Sequence, residues 1–197
     1  MHYCCYLITK QFPSDEVIEN VLRPFSDAVV YGDDPDNEER EIKYPAFMWD
    51  WWRVGGRYCG KLKLKCDVGN DDSEYQWGVY TKESRTGRLF RSYTLEEIKK
   101  LNDDAKLRYS FSEEDYFPQM GSRDGFLYVD GGRIADMINM DEQADECYCI
   151  VDSDGNAYSR EHWNGKDWIR NDSFDEQAKK IIAGSKNSYI VIVDIHD

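Results

Sequence analysis

Tyr189-Ile190-Val191-Ile192-Val193-Asp194-Ile195 is the most β-prone stretch of the chain. Its β-branched residues pack well on a pleated surface and poorly in a helix, so it is expected as a central strand. His2 to Lys10 is a second unbroken run of Tyr, Cys, Leu, Ile and Thr, and it reads as another strand. Between them lie helix signals. Ser14 stands before Asp15 and Glu16 as a cap with acids in the first turn, Val17, Ile18, Val21 and Leu22 recur at helical spacing, and Pro24 stops the run. Asn171-Asp172-Ser173 introduces an amphipathic helix over Phe174 to Ala183, which Gly184 ends. Cys147 to Val151 is a strand, Asp152 to Asn156 a hairpin turn, and Ala157 to Arg160 its return. Lys61 to Cys66 alternates polar and apolar residues as a half-buried strand does. Thr94 caps a further helix, Ser110 to Arg123 has no readable pattern, and Arg133 to Met140 forms a short helix after the Asp130-Gly131-Gly132 turn. These elements predict an α+β fold, a mainly antiparallel sheet with helices packed on one face.

At 197 residues the chain suits one domain, 1–197, and two independent domains would be tight. Segments 33–45 and 67–74 are polar enough to be exposed loops. The 41% hydrophobic and 14% aromatic content exclude a disordered acidic tail. A net charge of −14 repels nucleic-acid backbones and anionic membranes, so no direct nucleic-acid binding is expected; the charge serves solubility or, as the alternative, an acidic face that docks on a basic protein. No apolar run reaches the roughly 18 residues of a bilayer span, and no secretory leader opens the chain, so a cytoplasmic protein is expected. The six cysteines form no C-x-x-C pair, and reduced core thiols are expected.

The segment Trp49-Asp50-Trp51-Trp52-Arg53-Val54-Gly55-Gly56-Arg57-Tyr58 is the most specific feature. An indole face stacks on a base with about 1–3 kcal/mol. Arginine grips phosphate through two charge-assisted bonds, and adjacent glycines bring backbone N–H groups close to a ligand. Trp51, Trp52 and Tyr58 are therefore expected against a base or ribose. Arg53, Arg57 and Arg133 are expected on phosphate, with Gly55 and Gly56 beside it. The competing reading makes Trp49, Trp51 and Trp52 a core ridge, Gly55-Gly56 a tight turn and Arg57 the partner of an acid. A third makes the aromatics a protein-binding patch. Alternation along a strand requires that some of the tryptophans be core.

Other chemistry is sparse. His162 lies near Asp152 and Asp154 and is a candidate general base for an enzyme acting on a phosphorylated ligand. His196, beside Asp194 and Asp197, is expected in a solvated terminus. The Asp152 to Asn156 turn differs from a calcium loop: its glycine comes too early and no glutamate follows at the right distance. A zinc site from Cys147, Cys149 and a histidine has the wrong spacing. No Walker loop, Rossmann fingerprint or serine elbow is present, and no metal or cofactor is expected.

The Trp-Asp-Trp segment through Gly55-Gly56-Arg57-Tyr58 resembles the Trp/Tyr-Asp-Trp-x-x-x-Gly-Gly-Arg-Trp signature of small uncharacterised proteins of bacteriophages and some bacteria. The order of strand, Asp-Gly hairpin, tryptophan segment (Trp163 to Trp168), helix and final Val193-Asp194-Ile195-His196 is similar too. This chain departs at Tyr58, where relatives carry Trp, and at Cys59-Gly60. The resemblance brings no enzyme activity. It implies a phage-type, non-enzymatic binding protein in the infected bacterial cytoplasm. Such a protein would sequester a small phosphorylated nucleotide signal, a cyclic oligonucleotide or ADP-ribose derivative, and so counter antiviral defence. Proteins of that kind are often homo-oligomers. The alternative is an acidic inhibitor that mimics nucleic acid and binds a basic host protein.

Overall fold

The computed structural model describes residues 1–32, 43–58, 61–64, 77–78, 92–93, 127–138 and 140–197. Among these the elements run β1 (His2–Thr9), α1 (Asp15–Leu22), α2 (Asp27–Tyr31), β2 (Trp51–Val54), β3 (Leu62–Leu64), β4 (Trp77–Gly78), β5 (Ser92–Tyr93) and β6 (Leu127–Val129). They continue as β7 (Gly131–Arg133), α3 (Met140–Ala144), β8 (Cys149–Val151), β9 (Ala157–Ser159), β10 (Glu161–Trp163), β11 (Trp168–Arg170), α4 (Phe174–Gly184) and β12 (Tyr189–His196). This is the α+β class expected from sequence, with a mainly antiparallel sheet.

β12 is the central strand. One edge pairs with β1 antiparallel along the whole length, from His2 opposite His196 to Thr9 opposite Tyr189. The other edge is shared end to end: β7 takes Tyr189 to Val191 and β2 takes Val193 to His196. β1 continues the sheet through a parallel pairing with β8, and β8 pairs antiparallel with β9. β4 and β5 extend it beyond β7. β3 pairs with β6, and β10 with β11, as separate two-stranded ribbons.

Alternation along β1 and β12 divides the interior in two. Cys4, Tyr6, Ile8, Ile190 and Ile192 face Phe174, Ala178 and Ile182 of α4, together with Leu62, Val129 and Ile134. Cys5, Leu7, Val191, Val193 and Ile195 face Ile18 and Leu22 of α1, with Trp52 and Val54. The helices thus divide between both faces, where the sequence reading places them on one. Two long strands that are apolar on alternate sides leave two faces to cover, and one helix serves each. The α1 start is as expected, with Ser14 Oγ accepting from the Val17 N–H at 3.4 Å. Pro24 lies in a single 3-10 turn, Arg23–Phe25. α4 begins where Asn171 Oδ1 accepts from the Ser173 N–H at 3.2 Å.

The helix expected over Arg133 to Met140 is not formed. Gly131–Arg133 is strand β7, a 3-10 turn covers Ile134–Asp136, and α3 starts only at Met140. Pairing with β12 uses the backbone that the local turn signal would have bent. Cys4, Cys5, Cys147 and Cys149 are buried free thiols. Burial holds the Cys147 thiol up at about 12, so it stays neutral and unreactive at ordinary pH. Segment 67–74, positions 33–42, Cys59, Cys66, the Thr94 helix start and Ser110 to Arg123 lie outside the described residues. Among the described residues no helix is long and apolar enough to cross a membrane.

Trp52 is 2% exposed in the α1-side core, and its indole N–H donates to Glu19 Oε2 at 3.0 Å. Trp52→Ala removes that packing and the indole hydrogen bond to Glu19. Urea denaturation is expected to show a loss of about 3–5 kcal/mol.

Candidate functional site

β2 carries the tryptophan motif into the sheet beside the C-terminal half of β12. Its register sets Trp51 opposite His196, Trp52 opposite Ile195, Arg53 opposite Asp194 and Val54 opposite Val193. Period-two alternation then sends Trp52 and Val54 to the α1 core. Trp51 and Arg53 share the opposite face with Asp194, His196 and His2. Trp49, just before β2, is also buried; its indole N–H donates to the Leu22 carbonyl at 2.8 Å.

The result is a polar patch at one end of the face that α4 covers elsewhere. The Trp51 ring stacks on His196, with centroids 5.4 Å apart and planes 8° from parallel. His2 meets the Trp51 edge at 5.2 Å and the His196 ring at 5.0 Å. The Arg53 guanidinium lies over the Trp51 ring at 5.8 Å. Each histidine has its own carboxylate: His2 Nδ1 is 2.9 Å from Asp194 Oδ1, and His196 Nδ1 is 2.8 Å from Asp50 Oδ1. An ionised carboxylate only accepts, so Nδ1 carries the proton in both rings. Nε2 of each is then without a partner among the described residues. Burial raises the Asp50 carboxyl pKa, but the hydrogen bond and charge of His196 outweigh that and hold it below the usual range.

Asp194 is only 2% exposed, and the glycine pair exists to cover it. Gly55 and Gly56 both take left-handed backbone, with φ of 66° and 53°. This turns the chain sharply over the carboxylate, and the Arg57 N–H donates to Asp194 Oδ2 at 3.0 Å. A Cβ on Gly56 would lie 2.4 Å from that same oxygen. The Gly55 N–H donates to the Ile192 carbonyl at 2.9 Å. The N–H that leaves this left-handed turn is thus spent on the protein's own carboxylate.

The sequence-derived site therefore splits. Trp51, Arg53 and Arg57 share this end of the sheet. Trp51 and Arg53 are half-buried and Arg57 is exposed. Among the described residues neither guanidinium is ion-paired. Trp52 belongs to the core and offers no face to a ligand. Gly55 and Gly56 serve Asp194 instead of an external phosphate. Tyr58 is anchored: its hydroxyl donates to the His2 carbonyl at 3.0 Å, and its ring packs against the α4-side core. Burial pushes that hydroxyl up to about 12. Arg133 stands opposite Tyr189, on the other face, five residues along β12 from Asp194 and hence roughly 17 Å away; it is itself engaged in an interaction. His162 makes no hydrogen bond or ion pair with Asp152 or Asp154 among the described residues. Asp152 Oδ1 instead accepts the Asp154 and Asn156 N–H groups, both at 2.9 Å, and Asp154 pairs with Lys10 at 2.7 Å.

His2, Asp50 and the roles of Asp194 and His196 escape the sequence reading. The Val193-Asp194-Ile195-His196 alternation does place Asp194 and His196 on one face. The register that adds His2 and Trp51 has no local signal. Comparison with protein-family models, curated proteins and solved structures gives no match for this chain.

Two outcomes follow from this geometry. Gly155, in the β8–β9 turn, has φ of 85° and open space where a Cβ would go. Gly155→Ala is expected to cost about 1–2 kcal/mol for left-handed backbone alone, whereas Gly56→Ala adds the clash with Asp194 and should cost several kcal/mol more, on the order of a severe core substitution. Thermal unfolding of the two variants checks the difference. Asp50, with its pKa below the ordinary 3.8, stabilises the fold above that pH, and the contribution is lost as pH falls through and below 3.8. Asp50→Asn should flatten that acid-side slope in denaturant titrations between pH 6 and pH 2.

Proposed function

We propose that this chain binds a small phosphorylated, nucleotide-derived ligand at the Trp51 end of the sheet and holds it without transforming it. One observation carries the reading: Arg53, over a half-buried indole, and Arg57, four residues on, lie without ion pairs among the described residues in a chain of net charge −14. A general excess of acids would be expected to claim both arginines. Instead the neighbouring carboxylates, Asp50 and Asp194, are engaged by the two histidines. Arg53 resting over Trp51 has a weak partner, worth about 0.5–1 kcal/mol. A phosphate offers a charge-assisted bond of about 1.5–3 kcal/mol, so a ligand would draw the guanidinium off the ring and free the indole for a base.

The resemblance to phage and bacterial proteins supports the setting. The ligand is then a signal of antiviral defence, a cyclic oligonucleotide or ADP-ribose derivative, sequestered in the infected cytoplasm. A second reading has a specific observation in its favour. Two His–Asp pairs with rings 5.0 Å apart could supply a general base and a general acid to a phosphoester.

Calorimetric titration with cyclic dinucleotides and cyclic ADP-ribose isomers, followed by heat release and analysis of the ligand, separates the two. Intact ligand is expected. Arg53→Ala and Arg57→Ala should each weaken binding by roughly 10- to 100-fold, and Arg133→Ala should leave it unchanged. Altered ligand would turn the assignment to the His–Asp pairs. Absence of binding across the panel, or arginine variants that bind as wild type, would overturn it.

A further inference from the structure

We infer that a recess on the α1 side of the sheet, between the ends of β1 and β12 and the β10–β11 ribbon, binds an organic cation of the alkylated-ammonium type. Six rings line it: Tyr3, Tyr44, Phe47, Tyr148, Trp163 and Trp168. Tyr3 and Tyr148 stack with centroids 4.4 Å apart, and Trp163 and Trp168 meet at 5.8 Å and 55°. Tyr44 joins them to the ribbon, because its ring lies against Gly165 in the turn, where a Cβ would approach Cε2 to 2.9 Å. Trp168 is 55% exposed and the adjacent Ile169 40% exposed. An indole held half in water beside another aromatic wall contributes little to folding and much to capture of a ligand.

Charge decides which ligand. Glu161 and Asp197 are the carboxylates on the lining, and among the described residues no lysine, arginine or histidine contributes to it. Arg170, opposite Glu161 in the ribbon, is engaged by Asp172 at 3.1 Å. After burial, Asp197 and Glu161 are the largest influences that raise the Tyr3 hydroxyl pKa, so their field reaches the rings. Aromatic faces are themselves negative. An anion is disfavoured throughout. A bare ammonium is strongly hydrated, while alkyl groups around the charge match the apolar ring faces. This site prefers the opposite charge to the Arg53–Arg57 patch and occupies the other face of the sheet.

Indole fluorescence reports directly on Trp163 and Trp168. Choline is expected to quench saturably, and its neutral carbon isostere 3,3-dimethylbutan-1-ol to bind about fivefold or more weakly. Trp168→Ala should reduce choline affinity by roughly tenfold, and Asp197→Asn, which keeps every ring, should weaken it while leaving the isostere unchanged. Arg57→Ala should have no effect, so this site stands or falls apart from the phosphate site. A trimethyllysine peptide that binds more tightly than choline assigns the cation to a protein; choline binding as tightly or more tightly assigns it to a free small molecule. Equal affinity for choline and its isostere, unsaturable quenching, or indifference to both variants would overturn the inference.

Discussion

A single buried carboxylate organises this structure. Removing an ion from water costs several kcal/mol unless every acceptor position finds a donor. Asp194 sits in the middle of the most apolar strand and meets that demand with His2 on one oxygen and the Arg57 N–H on the other. The second contact needs backbone that only glycine adopts freely, which explains the pair Gly55-Gly56. Once the chain has turned over Asp194, the positions of Arg57 and Tyr58 are set, and the Tyr58 hydroxyl closes back onto β1 at His2. A motif that reads as a ligand-binding loop is thus first a clamp on an internal anion, and its arginines lie at the rim as a consequence.

Strand parity distributes the chemistry. Even-numbered positions of β1 and β12 lead from the α4 core out to His2, Asp194 and His196, and odd-numbered positions lead from the α1 core out to Tyr3 and Asp197. One end of one sheet therefore presents a guanidinium-rich face and, behind it, an aromatic face with carboxylates. The separation is maintained by the backbone alone, since adjacent residues such as Arg53 and Trp52 cannot exchange sides without breaking the ladder to β12.

The sequence reveals whatever is encoded locally. β12, β1, the cap at Ser14 and the Asp152 to Asn156 turn are all visible from residue type and spacing. So is the division of the tryptophans between core and surface, as a rule without an assignment. What decides the rest is long-range register. Arg133 resembles Arg57 in its Gly-Gly-Arg context, yet β7 and β2 meet β12 at opposite ends and in opposite parity. His2 looks like an ordinary strand residue until the β1–β12 pairing sets it beside His196. The single-face helix arrangement fails for the same reason: which side α1 covers depends on the crossover and not on its own amphipathicity.

The longest pairing in the sheet joins positions 190 to 194 residues apart at its outer end, from Cys4 with Asp194 to His2 with His196. Loop closure over such a span carries a large entropic cost that local contacts must first reduce, and contact order of this kind slows folding. The helices and the β8–β9 hairpin can form early from neighbouring residues. The His2–Asp194 contact, and with it the geometry around Trp51, depends on pairing the two strands most distant in sequence among the described elements. The arginine-bearing face therefore exists only where β12 is paired on both edges, with β1 on one side and β2 on the other, and a fragment lacking either partner strand would not display it.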